Sequence, residues 1–317
     1  MAFTHNFPFD PTYGYQEQRL RTVKSPVGPT DFIRFWEFTF EKVRRIPLRI
    51  ERRSIASPDP LFEIEEVEFD SLDGVRIGGW IMRPANGKFN RGMVVSHGYG
   101  GRSEPDLNLP PPAAVTIFPC ARGFNRSARG DIPNVESRHV LHGIESKDTY
   151  VHRGCVADIW SAASALLELY PQVARRLHYY GSSFGGGIGA LALPWDNRFH
   201  RAFLELPSFG QHPLRLISQC VGSGEPVRLY AKEHPEVLLD VLQYFDAATA
   251  ARYIKIPVFV AAALFDPSVP PPGQFAVHNA IPGRKQLFVR QAGHFPYAAE
   301  AREKAELHAR LWSWFSE

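Results

Sequence analysis

The chain has 317 residues, 44% of them hydrophobic, enough for one large α/β domain or two smaller ones around a substantial core. Its 36 basic and 33 acidic residues nearly balance, and the doublets Arg44-Arg45, Arg52-Arg53 and Arg175-Arg176 lie apart, so they read as solvated faces rather than a nucleic-acid track. Three widely spaced cysteines, Cys120, Cys155 and Cys220, offer neither a disulfide framework nor metal-ligand spacing, which suits a reducing compartment.

The first ten residues lack the charged start and apolar run of a secretory leader, and no stretch is apolar enough to span a bilayer. The expectation is a cytoplasmic protein that uses no membrane and no nucleic acid. Residues 1–60 hold seven prolines and read as a wrapping arm with one helix, 30–40, started by Thr30-Asp31 and striped with Phe32, Phe35, Trp36 and Phe40. A hairpin follows, with strands in 61–70 and 75–82 around Asp73-Gly74. Residues 92–97 and 113–119 read as buried strands. The polar stretch 121–150 reads as a long excursion at a site mouth or subunit contact. Apolar spacing from Val156 to Tyr170 predicts a helix that Pro171 stops. Strands at 201–206, 256–265 and 286–290 and a closing helix at 298–316 complete the pattern, with a helical insertion at 210–252 that shows no strand alternation. Strands alternating with helices imply a single α/β domain over 1–317, a mostly parallel sheet covered on both faces.

The chemistry centres on Gly181-Ser182-Ser183-Phe184-Gly185. The bare Gly-x-Ser-x-Gly pattern arises readily by chance. Here an apolar strand precedes it and a small-residue helix follows, the context of a strained turn that exposes a serine hydroxyl at a strand's carboxyl end. A serine hydroxyl needs a base to take its proton and a third group to orient that base. Asp266 directly follows one apolar strand and His294 the next, and the order Ser183, Asp266, His294 is that of an α/β-hydrolase. His97, His212, His234 and His278 compete as the base, but none shares His294's place after a late strand. The backbone N–H of Phe184 and that of Tyr99, in His97-Gly98-Tyr99-Gly100-Gly101, are the candidate oxyanion donors. Nothing in the pattern calls for a metal or organic cofactor.

With these residues placed, the chain resembles the acetyl xylan esterase and cephalosporin-C deacetylase family, carbohydrate esterase family 7. The likeness runs through Asp31 to Trp36, Gly98-Tyr99 to Gly101, Gly181 to Gly187, Asp266 to Ala276 and Gly293-His294. It implies an α/β-hydrolase fold, deacetylation of small sugars and cephalosporins, a small-molecule ester substrate and a homo-oligomer, hexameric in the family. By matching, Ser183, Asp266 and His294 become the triad and Tyr99 and Phe184 the oxyanion donors. Three positions depart from the family pattern. Its Arg-Gly-Gln stands here as Arg122-Gly123-Phe124, the aspartate before it is Cys120, and its His-Glu is His294-Phe295. Arg122, Phe124, Pro207 and Phe295 are expected to line the substrate pocket, the two aromatic rings narrowing it around a short acyl group. The alternatives are a carboxylesterase of broader range without a sugar role, or a hydrolase fold kept only for binding.

Overall fold

The computed structural model describes residues 3–109 and 113–317. Among them nine strands build one sheet: β1 (Glu51–Ile55), β2 (Phe62–Asp70), β3 (Arg76–Pro84), β4 (Arg91–Ser96), β5 (Ala114–Pro119), β6 (Leu177–Ser182), β7 (Phe199–Glu205), β8 (Val258–Ala263) and β9 (Lys285–Arg290). The order is β1-β2-β3-β5-β4-β6-β7-β8-β9. From β5 across to β9 neighbouring strands run parallel, while β1, β2 and β3 add an antiparallel edge. Strands β4, β5 and β8 are buried on both faces, which is why they read as unbroken apolar runs rather than alternating ones.

One large apolar cluster fills the face covered by the helices Phe32–Arg44, Val151–Leu169, Phe184–Ala192 and Pro271–Ala280. A smaller one on the opposite face is closed by Leu307, Leu311, Trp314 and Phe315 of the last helix, Glu300–Ser316. The helix Phe32–Arg44 buries the stripe expected of it, with Trp36 edge-on to Trp160 and Phe245 and its Nε1–H donated to the Tyr244 carbonyl at 2.9 Å. Each such ring contributes about 1.5–3 kcal/mol on full burial. The cap at its start is a correction. Asp31 makes no side-chain cap; its carboxylate accepts from the Tyr244 hydroxyl at 2.5 Å and from Lys147 at 3.0 Å, a stronger, charge-assisted pairing.

Two further differences have clear causes. The arm contains β1, which the sequence hid because an edge strand exposes most of its side chains and needs no apolar alternation. Backbone pairing to β2 and the cross-strand pairs Arg52–Glu65 and Arg53–Glu66 hold it. The stretch after β5 is not a polar surface excursion at its start: Cys120, Ala121, Arg122 and Phe124 are all buried. Arg122 can be buried because Asp158 answers it, with Nε 3.0 Å and Nη2 2.8 Å from the two carboxylate oxygens. Asp158 lies on the helix Val151–Leu169, which begins five residues before the apolar spacing suggested, its first turns carrying buried polar residues instead. Residues 210–252 hold the short helices His212–Arg215, Gly224–Glu233, Val237–Asp240 and Ala247–Ala251, and no strand. No described helix is long and apolar enough to cross a membrane.

Candidate active site

Strand β6 ends at Ser182 and the helix Phe184–Ala192 starts two residues on, so Ser183 alone makes the turn. It does so at φ 53° and ψ −111°, a conformation that costs a non-glycine residue about 1–3 kcal/mol. The surroundings hold it there. Its N–H donates to the Glu205 carbonyl at 2.8 Å, and its own carbonyl accepts from Gly187 at 3.0 Å and Ser208 at 3.1 Å. Gly185 is required because a Cβ there would stand 2.8 Å from the His97 carbonyl oxygen.

The loop after β9 brings His294 to this turn. Its Nε2 lies 3.0 Å from Ser183 Oγ and its Nδ1 2.8 Å from Asp266 Oδ2. The bond to the carboxylate makes Nδ1 the protonated nitrogen and leaves Nε2 to accept from the serine hydroxyl. Asp266 is fully buried, with Oδ1 accepting the N–H groups of Ser268 and Val269, both at 2.9 Å, and Oδ2 also accepting Gln274 Nε2 at 2.9 Å. Gly293 lets the two loops meet: a Cβ there would fall 2.4 Å from Asp266 Oδ2. Partial desolvation pulls the His294 pKa down, but the charge and hydrogen bond of Asp266 outweigh it and the net shift is upward.

Tyr99 and Phe184 flank the serine from two sides, their rings 4.4 Å apart. Neither backbone N–H has a protein acceptor among the described residues. The Tyr99 hydroxyl is tied down instead, 3.1 Å from His139 Nδ1 and 3.0 Å from His152 Nε2. His139 Nε2 donates to the Arg122 carbonyl at 3.0 Å, so its Nδ1 accepts from Tyr99, which in turn accepts from His152. Burial lowers the pKa of both imidazoles, that of His139 to about 4, so they stay neutral in this chain of bonds. The Arg122–Asp158 pair thus anchors a buried polar relay that fixes the Tyr99 loop.

A cleft of roughly 340 Å³ opens over Ser183 and His294, walled by Tyr99, Glu136, Ser223 and Val269 among others. Burial raises the Glu136 carboxyl pKa above its ordinary value, against the opposing influence of the Ser223 N–H, Arg215 and His294. A larger cavity, roughly 770 Å³, lies beyond Arg102 and is lined by Ile64, Trp80 and Arg126, but among the described residues no histidine or cysteine lines it. The run of Ser183, His294 and Asp266 opens into the smaller one. No described group of three or more His, Cys, Asp or Glu side chains is placed to hold a metal.

The four expected pocket residues are a correction, since none lines the cleft. Arg122 is spent on Asp158 and the Leu72 carbonyl. Phe124 is buried behind Tyr99, its ring 4.7 Å from His139. Pro207 lines a separate small crevice beside Phe209 and Val269. Phe295 turns outward and packs on Phe3, Phe7 and Phe265. The competing histidines are occupied elsewhere. His97 donates Nδ1–H to Gly98 and accepts the Ala121 N–H at 2.9 Å, while His212 is buried against Phe245. His234 sits exposed by Glu236, and His278 lies beside Asn279 on the helix Pro271–Ala280. Sequence reasoning missed Gln274, His139, His152, Asp158 and Glu136. Gln274 lies inside the Asp266 to Ala276 segment, at a position the pattern leaves open, and the other four act across the fold.

A nucleophile turn between strand and helix, with acid and base on loops after later strands of a mostly parallel sheet, defines the α/β-hydrolase class. Solved structures of that class share the fold. An acetyl xylan esterase from Paenibacillus sp. R4 superposes with a TM-score of 0.80 at 21% identity, over 93% of this chain and 99% of its own. Acetyl xylan esterase 1 from Thermoanaerobacterium sp. JW/SL YS485 gives 0.78 at 21% identity, over 96% and 100%. The Pyrococcus horikoshii acylaminoacyl peptidase matches more distantly, with a TM-score of 0.58 at 16% identity over 86% of this chain and 42% of its own. The profile of the acetyl xylan esterase (AXE1) family matches residues 18–310, so the chain belongs to that family, as a carboxylic ester hydrolase of the serine type.

Proposed function

We propose that the enzyme removes acetyl groups from small hydroxylated alcohols such as acetylated sugars, with Ser183 as nucleophile, His294 as general base and acid, and Asp266 as the group that orients it. The observation that carries this reading is the unbroken run from Ser183 Oγ to His294 Nε2, 3.0 Å, and from His294 Nδ1 to Asp266 Oδ2, 2.8 Å. His294 takes the hydroxyl proton as Ser183 Oγ bonds to the ester carbonyl carbon, giving a tetrahedral oxyanion. The N–H groups of Tyr99 and Phe184 hold that oxyanion, Phe184 adding the positive end of its helix. As the intermediate collapses the C–O bond to the alcohol breaks, and the imidazolium gives its proton to the leaving oxygen. Water then attacks the acetyl-enzyme with His294 as base, releasing acetate and restoring the serine.

Deacetylation of cephalosporins, which the family resemblance adds, belongs to the same chemistry. The cytoplasm suits the three free, buried cysteines. Replacing Ser183 with alanine is expected to lower kcat for p-nitrophenyl acetate by about 10³-fold or more while the melting transition persists. A fluorophosphonate is expected to label Ser183 alone. Full turnover in the alanine variant removes the assignment.

A further inference from the structure

We infer that Gln274 sets how low in pH the enzyme works, by sharing Asp266 Oδ2 with His294 and so limiting the hold of that carboxylate on the imidazolium. This rests on the esterase reading of the same triad. Gln274 and Asp266 are both fully buried. The Gln274 Nε2 group donates to Asp266 Oδ2 at 2.9 Å and to the Val269 carbonyl at 2.7 Å, and its Oε1 accepts the N–H of Ala263, the last residue of β8, at 2.8 Å. These bonds fix which way round the amide lies, with its donor end on the carboxylate. The segment from Asp266 to Ala276 that carries the family likeness leaves position 274 open, so this bond does not follow from family membership.

A hydrogen bond donated to an anion stabilises it and drains charge from the oxygen that accepts. Here that oxygen is the one facing His294 Nδ1, 2.8 Å away. An amide does not titrate, so Gln274 competes with the imidazole for Oδ2 at every pH. Removing it would not set the carboxylate loose. Oδ1 still accepts the N–H groups of Ser268 and Val269, and the Asp266 N–H still donates to the Pro11 carbonyl. Loss of the donor therefore strengthens the hold on the imidazolium, and the base stays protonated to a higher pH. Of the other groups around the pair, Glu205 and Arg290 act on His294 with opposite sign and pair with each other at 2.8 Å. Glu136 acts from the cleft wall and the Tyr13 hydroxyl from the arm. None of these four is hydrogen-bonded to Gln274 among the described residues.

The test is kcat/KM for p-nitrophenyl acetate against pH in the wild type and in Gln274→Met, which keeps the length of the side chain and removes its donor. The acid limb of the variant is expected about half a pH unit above that of the wild type. A residue that merely held Asp266 in place would, when lost, weaken the pair and move the limb down. A limb that stays or moves down in folded Gln274→Met overturns the inference, while hydrolysis itself leaves the esterase reading standing. If the variant does not fold, the wild type reads the bond directly. Gln274 is the only buried glutamine among the described residues, so with glutamine labelled by nitrogen-15 its side-chain amide is the one protected from hydrogen exchange. That resonance is expected to titrate with the midpoint of the acid limb, and one that does not move overturns the inference. Failure of the wild type to hydrolyse the ester removes the esterase reading, and this inference with it.

Discussion

At the scale of single residues, His294 is pulled two ways. Partial desolvation favours the neutral imidazole, and the Asp266 carboxylate 2.8 Å away favours the cation and prevails. The proposed base must be neutral to accept the serine proton, so activity should fall as pH drops through a midpoint above the ordinary histidine value of about 6.5. The sign for stability is the reverse. A raised pKa adds stability that is full below the unfolded value and is lost as pH rises through the folded one. Activity is therefore gained over the interval where this contribution is lost. The other imidazoles near the site do not blur the profile, because burial holds His97 and His139 near 4. We expect one acid limb in kcat/KM against pH, with Asp266→Asn lowering its midpoint as well as the rate. An acid limb that stays in place in that variant contradicts the assignment. Gln274 completes the local geometry by holding Asp266 Oδ2 at 2.9 Å while accepting the Ala263 N–H at 2.8 Å.

At the scale of elements, the arm does more than cover the core. Phe3, His5, Phe7 and Phe9 alternate with exposed residues, the pattern of an extended segment lying on a surface. That surface consists of the neighbours of the proposed triad. Phe265 precedes Asp266, Phe295 follows His294, and their rings lie 5.0 Å apart. Phe3 packs on both, at 4.8 and 5.8 Å, and Phe7 lies 6.1 Å from Phe295. The Asp266 N–H donates to the Pro11 carbonyl at 3.1 Å, and the Tyr13 hydroxyl to Gln219 at 2.8 Å. The aromatic ring at 295 thus clasps the arm where the family pattern has a glutamate. Truncating Phe3 and Phe7 to alanine together is expected to free the His294 loop. A loss of about 1.4 kcal/mol in positioning lowers kcat about tenfold with KM little changed. An unchanged kcat in a folded double variant shows that the arm does not position the site.

At the scale of the whole molecule, the exposed apolar side chains are unevenly placed. Ile217, Val221, Leu229 and Leu239 stand out on the insertion, and Ile33 and Phe38 on the outer face of the helix Phe32–Arg44. Exposed apolar side chains that form a contiguous patch mark a contact surface more often than single ones do. We expect a homo-oligomer, with sedimentation at micromolar concentration giving a species larger than the 35.7 kDa chain. A sharp boundary at the mass of one chain refutes it.

What the sequence by itself determined is what local chemistry decides. A glycine-flanked serine between an apolar strand and a small-residue helix can fold only as a tight turn. An aspartate and a histidine placed just after later parallel strands come to the same edge of the sheet as that serine. Chain order and strand ends were therefore enough to nominate Ser183, Asp266 and His294. The rest depended on contacts between residues far apart in the chain, which no spacing encodes. The helix Val151–Leu169 was legible only from Val156, and no spacing marked Asp158 as the partner of Arg122 or His152 as that of Tyr99. The strand Glu51–Ile55 read as part of the arm, its arginines as a solvated face, because an edge strand needs no apolar alternation and only its pairing with β2 reveals it. Phe124 and Phe295 looked like pocket walls because each stands next to a motif residue in sequence. Adjacency in the chain sets where a backbone goes, but the direction of a side chain is set by what it can pack against. Only the tertiary structure turned Phe124 into the core and Phe295 towards the arm, and brought Glu136 to the cleft wall.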